Sequence, residues 1–225
     1  KELTLRKGMV VFQFVISGVL IIFTWIVLSQ NNFMLNKDLG FDKDHVVAIR
    51  LNDNEAQRKY SVLKNALLES SEVSAAALSS ALPGNDEFYG FSIKPEEQEN
   101  EITISTLGVD EDFLKTYGVQ LLEGRDFSAL NKADEDGAYI INEAAAKSLG
   151  WTDPVGRSIT FIRHTNKREE KKGNIIGVVK DFNFKSLHHK VEPLLIYINR
   201  HIYYADYISV RFSNTSPRSS VKLLQ

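Results

Sequence analysis

The acidic run Asp134-Glu135-Asp136-Gly137, with Glu143 beyond it, has the spacing of a calcium-binding loop. It sets carboxylates at positions 3 and 5, glycine at 6 and glutamate at 12 of an EF-hand frame. Position 1 is Lys132, an ammonium where a carboxylate ligand belongs, and Tyr139-Ile140-Ile141 reads as a strand. A solvated turn ahead of a strand is the better reading. His188-His189 is an adjacent histidine pair near Asp181 and Lys185. Neighbouring side chains on an extended segment point to opposite sides, so this pair chelates poorly without ligands from elsewhere. Only the fold could bring in His164 or His201, and surface or packing roles fit all four. Serine chemistry has no Gly-x-Ser-x-Gly elbow. No Gly-x-x-x-x-Gly-Lys loop is present to cradle nucleotide phosphates. Cysteine is absent, which excludes disulfides, thiolate zinc sites and cysteine nucleophiles. No catalytic residue, cofactor site or metal site is assigned, and the expectation is a chain that is not an enzyme.

The elements around these residues begin with an apolar run without charge, Met9-Val10-Val11-Phe12-Gln13-Phe14-Val15-Ile16-Ser17-Gly18-Val19-Leu20-Ile21-Ile22-Phe23-Thr24-Trp25-Ile26-Val27-Leu28. A helix crossing the hydrocarbon core of about 30 Å needs about 20 such residues. Lys1, Arg6 and Lys7 precede the run, and no positive charge follows it until Lys37. The positive-inside rule therefore places the N-terminal flank in the cytoplasm and the rest of the chain outside. A cleaved signal peptide fits less well, since 27–31 offers no small-x-small site. A buried soluble helix fits less well too, because Gln13, Ser17 and Thr24 are the only hydrogen-bonding side chains before Trp25. Gln13, Ser17 and Gly18 mark a face suited to close packing on other helices in lipid.

The remainder of the 225 residues has a soluble composition, and the net charge of −2 argues against a nucleic-acid partner. Both ends read as internal to a longer polypeptide, since 216–225 resembles an opening helix with Ser216 as cap and Pro217 in its first turn. Residues 31–39 are expected to extend the helix as a stalk, stopping at Gly40. A strand over 46–51, a helix over 55–70 capped by Asn54 with a stripe of Tyr60, Leu63, Ala66 and Leu67, and a strand over 73–79 compose a βαβ unit. From 88 to 198 strands dominate: 88–93 and 102–109 around an acidic turn at 95–101, then 138–141, 158–162, 174–179 and 194–198, with short helices over 111–117 and 143–149. The charged stretch 164–172 is expected to be a hairpin tip, and a last strand covers 207–212. A β-rich subdomain inserted into one βαβ-type layer is the economical arrangement.

Three motifs specify turns and core: Gly124-Arg125-Asp126-Phe127, Asn142-Glu143-Ala144-Ala145 with Gly150-Trp151-Thr152-Asp153-Pro154-Val155-Gly156, and Gly177-Val178-Val179-Lys180-Asp181-Phe182-Asn183-Phe184. Together with Leu5-Arg6-Lys7-Gly8, Val11-Phe12-Gln13-Phe14-Val15-Ile16-Ser17 and Asn36-Lys37-Asp38-Leu39-Gly40-Phe41, their order resembles the periplasmic core domain of MacB-like permeases, in the FtsX-like family of ABC transporter subunits. The resemblance spans nearly the whole chain. It implies an α+β fold: one transmembrane helix, then a two-part extracytoplasmic domain in which a βαβ-type porter layer is interrupted by a β-rich sabre subdomain.

The corresponding boundaries are 1–8 for the cytoplasmic flank, 9–30 for the span, 31–43 for the stalk, 44–84 and 201–225 for the porter-like parts, and 85–200 for the sabre-like insertion. The resemblance further implies a separate cytoplasmic ABC ATPase as partner, a homodimer or pseudo-dimer with another permease half, contact with membrane lipid, and placement in the inner membrane. The expected function is mechanotransmission, coupling ATPase-driven helix motion to export or release of a substrate. Gln13, Ser17 and Gly18 would pack helices, while Asn31, Asn32, Lys37 and Gly40 would couple the stalk. The alternative is a membrane-tethered sensor or ligand-binding ectodomain without an ATPase partner.

Overall fold

A computed structural model describes residues 2–51, 55, 59–164, 168–187, 190–199 and 206–213. The chain divides into two compact units, Lys1–Asp38 and Leu39–Gln225.

The first unit is one helix, α1 (Glu2–Asn36), of 35 residues, about 52 Å long at 1.5 Å per residue. Among the described residues it is the one helix long and apolar enough to cross a membrane. Its large apolar side chains from Met9 to Leu28 are exposed. Thr24 folds its hydroxyl onto the Leu20 carbonyl at 2.7 Å, which satisfies that donor within the helix itself. The helix ends at Asn36, whose Nδ2 donates to the Asn32 carbonyl at 2.9 Å. The expected stop at Gly40 is thus corrected: three residues, Lys37, Asp38 and Leu39, separate that glycine from the helix end.

The second unit is β-rich. Its strands are β1 (Val46–Arg50), β2 (Val73–Ser79), β3 (Tyr89–Pro95), β4 (Ile102–Val109), β5 (Leu121–Gly124), β6 (Ala138–Asn142), β7 (Ser158–His164), β8 (Arg168–Val179), β9 (Leu194–Ile198) and β10 (Tyr207–Phe212). Among the described residues three α-helices accompany them: α2 (Tyr60–Leu68), α3 (Phe113–Tyr117) and α4 (Glu143–Ser148). The fold is mixed α and β, as expected. Strand β10 lies between β1 and β2, antiparallel to both, so β1-α2-β2 is a split βαβ unit rather than two adjacent strands. Six other strands pair in a closed ring, β4-β3-β7-β8-β6-β9 and back to β4, while β5 pairs with β8. Closure gives every ring strand a neighbour on both sides, which reduces the open edge it offers to foreign strands. The two systems meet where Ser79 of β2 pairs with Val109 of β4.

Each system has its own apolar cluster. Leu51, Leu67, Val73, Leu78, Ile208, Val210 and Phe212 pack between α2 and its sheet. Ile93, Ile104, Ile141, Ile159, Ile175 and Leu195, one from each ring strand, pack with Ala145, Leu149 and Trp151. A third cluster, with Leu107, Phe113, Tyr117, Phe127, Ile140, Phe182 and Phe184, joins α3 to the strands.

Several sequence expectations shift. On α2 Lys64 and Leu67 are buried and Tyr60 is half-buried, while Leu63 and Ala66 of the expected stripe are exposed; Lys64 turns inward because it finds carboxylates there. The charged stretch 164–172 is mostly strand, since β8 begins at Arg168 and pairs through to β7. The acidic turn is exposed as expected, but Glu96, Glu97 and Glu101 are held by Lys172, Arg157 and Arg168. Asn54, His188, His189, His201, the side chain of His164 and the expected helix over 216–225 lie outside the described residues.

Candidate functional site

Two carboxylates of the calcium-like frame, Asp134 and Glu143, are committed within the fold, while Asp136 is exposed. Arg125 grips Asp134 with two nitrogens at 2.8 and 2.6 Å, and Asn131 Nδ2 and the Ser128 N–H add bonds of 2.8 and 3.0 Å. Gly124, at φ +75°, makes this turn possible, since a Cβ there would drive into the Ile176 carbonyl. Glu143 accepts the Asp181 N–H at 2.9 Å, and Asp181 in return accepts the Ala144 N–H at 2.9 Å. This reciprocal capping of α4 ties the Asn142-Glu143-Ala144-Ala145 motif to the Val179-Lys180-Asp181-Phe182 motif. Between them, Asn142 Oδ1 accepts the N–H groups of Ala145 and Leu194 at 3.0 and 2.9 Å, and Nδ2 donates to the Glu192 carbonyl at 2.9 Å.

The latch serves the place where the domain begins. Leu39 offers its carbonyl to the Asn183 N–H at 2.7 Å and to Asn183 Nδ2 at 3.3 Å. Gly40 follows at φ +78°, pressed so closely that a Cβ would lie 2.8 Å from the Asp181 carbonyl oxygen. Phe41 sets its ring edge-on to Tyr117 and Phe182, with centroids at 6.0 and 6.3 Å. Asp42 then donates its N–H to the Tyr117 carbonyl at 2.7 Å. Arg211 of β10 closes the other side: its Nη1 reaches the Asp42 carboxylate at 2.7 Å, Nη2 the Asp42 carbonyl at 2.8 Å, and Nε the Thr116 carbonyl at 2.7 Å. Residues 39–42 are therefore bonded to the segment after β8 and to β10 at once.

Burial alone would raise the Asp42 carboxyl, but the Arg211 hydrogen bond, the Asp44 N–H and the Arg211 and His45 charges hold it below the usual carboxylate range. A depressed folded-state value adds stability above the unfolded value, and that increment disappears as pH falls through the folded one. The clamp therefore loosens only in acid.

Of the residues expected to act, Gly40 sits in this junction. Asn31, Asn32 and Lys37 belong to the other unit; Asn32 Oδ1 accepts from Asn36 at 2.7 Å, and Lys37 Nζ lies 5.7 Å from the Phe33 ring centroid. Gln13 and Ser17 are exposed on α1, and a Cβ at Gly18 would meet nothing within 4 Å. Sequence reasoning missed Arg211 and Asn183 as junction partners. Arg211 carried a usable signal, a lone cation in the apolar strand Tyr207-Ile208-Ser209-Val210-Arg211-Phe212.

Gly40→Ala should lower the melting temperature of the domain by roughly 4–8 °C. Left-handed backbone costs a non-glycine residue about 1–2 kcal/mol, the Cβ clash adds to it, and about 2 kcal/mol corresponds to that shift at this size. An unchanged melting curve would contradict the close approach.

The comparisons agree with the architecture. The fold is similar to the periplasmic region of MacB from Actinobacillus actinomycetemcomitans (TM-score 0.57, 15% identity, 85% of each chain covered). It is also similar to the extracellular domain of the noncanonic ABC-type transporter YknZ from Gram-positive bacteria (TM-score 0.51, 15% identity, 78% of this chain and 87% of that one). No curated protein matches. The chain matches the MacB-like periplasmic core domain family over residues 13–222, and it belongs to that family.

Proposed function

We propose that the chain transmits motion: α1 is a moving helix of an ABC permease, and the β-rich unit is the extracytoplasmic part it drives. The supporting observation is the junction at 39–42, where backbone, Asn183 and Arg211 hold the first residues of the domain on two sides. A flexible tether would need no such bonding, whereas a lever must not slip at its attachment.

In this reading β1, α2, β2 and β10 supply the porter-like layer (44–84 and 201–225), and the strand ring supplies the sabre-like insertion (85–200). The N-terminal flank lies in the cytoplasm, as Lys1, Arg6 and Lys7 direct. Gln13, Ser17 and Gly18 pack on other helices of the permease within the lipid, and Asn31, Asn32, Lys37 and Gly40 stiffen the coupling. A cytoplasmic ATPase supplies the stroke, and a second permease half completes the pair. Family membership favours this over the tethered sensor.

The test inserts a flexible glycine linker after Gln30 in the full-length permease. Substrate export should be lost while ATP binding by the partner survives; export at the original rate would sink the proposal.

A further inference from the structure

Where β2 meets β4, the turn between β4 and α3 is held by backbone bonds. The Asp110 N–H donates to the Leu78 carbonyl at 3.1 Å, and the Ser80 N–H to the Gly108 carbonyl at 2.8 Å. Helix α2 packs on its own sheet through Leu67 and Tyr60. Lys64 then reaches from α2 to that turn, with Nζ 2.7 Å from the Asp110 carboxylate and 2.6 Å from that of Asp112. The Lys64 and Asp110 side chains are only 11% and 5% exposed. This one side chain therefore fastens the helix of one strand system to the first strand-to-helix turn of the other.

The charges at this seam do not balance. Two carboxylates share a single ammonium, and one negative charge is left over beside a buried pair. The surroundings add to the surplus. Glu111, on the same turn, acts against the Asp110 charge, while β2 offers it the Leu78 N–H. Asp126, from the segment after β5, faces Asp112 and Asp134. Burial first, and then those two carboxylates, push the Asp126 carboxyl up to about 6 against the pull of the Phe127 N–H. Asp134 is itself paired with Arg125.

A proton is the smallest charge that can cancel the surplus. With Asp110 neutral, one carboxylate faces one ammonium, and the Asp110 side chain still accepts the Asp112 N–H at 3.2 Å. With Asp110 ionised, the unbalanced charge has little water around it, which is costly for any buried ion. Lifting α2 would hydrate both carboxylates and remove that cost. Proton uptake therefore favours the closed seam, and proton loss favours the open one.

We propose that Lys64, Asp110 and Asp112 form a proton-operated latch between α2 and the turn that joins β4 to α3. A proton held at the seam fastens the helix, and its release lets the helix lift while the strand ring stays intact. This goes beyond the transmission proposal and does not require it. The size of the response follows from linkage. A carboxyl at about 6 in the closed seam and at an ordinary ~4 in water makes opening roughly tenfold more frequent at pH 7 than at pH 5.

The experiment is amide hydrogen exchange on the full chain in lipid nanodiscs at pH 5 and pH 7, with the intrinsic chemical rate divided out. The amides of α2 should lose about tenfold in protection at pH 7, because local opening is what their exchange reports. Amides of β6 in the strand ring serve as the internal control and should keep their protection. Two variants locate the proton. Asp110→Asn removes the titrating group, and Asp112→Asn leaves one carboxylate to one ammonium, so each should cut the response of α2 to less than about twofold. Asp112 is the more exposed of the two carboxylates, so its variant decides the matter should Asp110→Asn fail to fold. Equal α2 protection at both pH values, greater protection at pH 7, or a wild-type response in a folded variant would each overturn the latch. So would an equal loss in β6, which would mark a general response of the domain. No ATPase takes part, so failure here leaves the transport proposal standing, and the reverse is also true.

Discussion

Asn142→Ala should lower the melting temperature of the domain by roughly 6–12 °C, about 3 kcal/mol at 2–4 °C per kcal/mol for a domain this large. The side chain is fully buried and makes three bonds to backbone. Losing the cap of α4 costs about 1 kcal/mol. The Leu194 N–H and Glu192 carbonyl then lose their partner, and an orphaned buried group costs about 1–3 kcal/mol. Asn142→Asp is the informative companion. It keeps both accepted bonds but sets a carboxylate against the Glu192 carbonyl, so it should fall between wild type and the alanine variant. Thermal melts of the three proteins decide the matter, and an alanine variant as stable as wild type would show that the latch carries no load.

The second large effect belongs to Lys64. Its Nζ lies 2.7 Å from Asp110 and 2.6 Å from Asp112, and the Asp110 side chain is only 5% exposed. Burial pushes the Asp110 carboxyl up to about 6, against the pull of Lys64. The two carboxylates raise Lys64 above its ordinary value although burial opposes them. Removing one partner of a buried pair costs about 3–5 kcal/mol, because the other charge stays behind. Lys64→Met should approach that loss at pH 8, where Asp110 must ionise without its cation. The sign follows from linkage: an acid with a raised folded value supports the fold below its unfolded value and withdraws that support as pH rises through the folded one. The deficit should therefore shrink at pH 5, where Asp110 takes up a proton. Melting curves at the two pH values test this, and a deficit independent of pH would contradict the assignment.

Local pattern carried much of the fold. Strands 46–50, 73–79, 102–109 and 194–198 stand within a residue of where alternation and turn residues placed them, and Asn142 caps α4 as its residue type suggests. Partner choice was less legible. Nothing in Tyr207-Ile208-Ser209-Val210 says that β10 slips between β1 and β2, because a strand's pattern encodes its faces and not its neighbours. Ring closure was hidden for the same reason. Charge misled twice. Lys64 is absent from the expected apolar stripe although it turns inward, and residues 168–172 looked like a turn. Their charges lie on an exposed strand, where ion pairs to Glu101 and Glu96 replace an apolar face. The junction at Gly40 was read as a helix cap, since left-handed glycine serves both purposes and only the Asp181 carbonyl beside it distinguishes them.

Closure of the ring has a practical consequence for dissecting the protein. Strand β9 is held by β4 on one side and β6 on the other. A fragment ending before residue 194 would lack both β9 and β10, baring edges of β4 and β6 in the ring and of β1 and β2 beside it, and such fragments tend to associate rather than fold. Expression boundaries that respect the architecture must retain Phe212 at the least. Protease cuts within the ring should yield pieces that stay together until denatured.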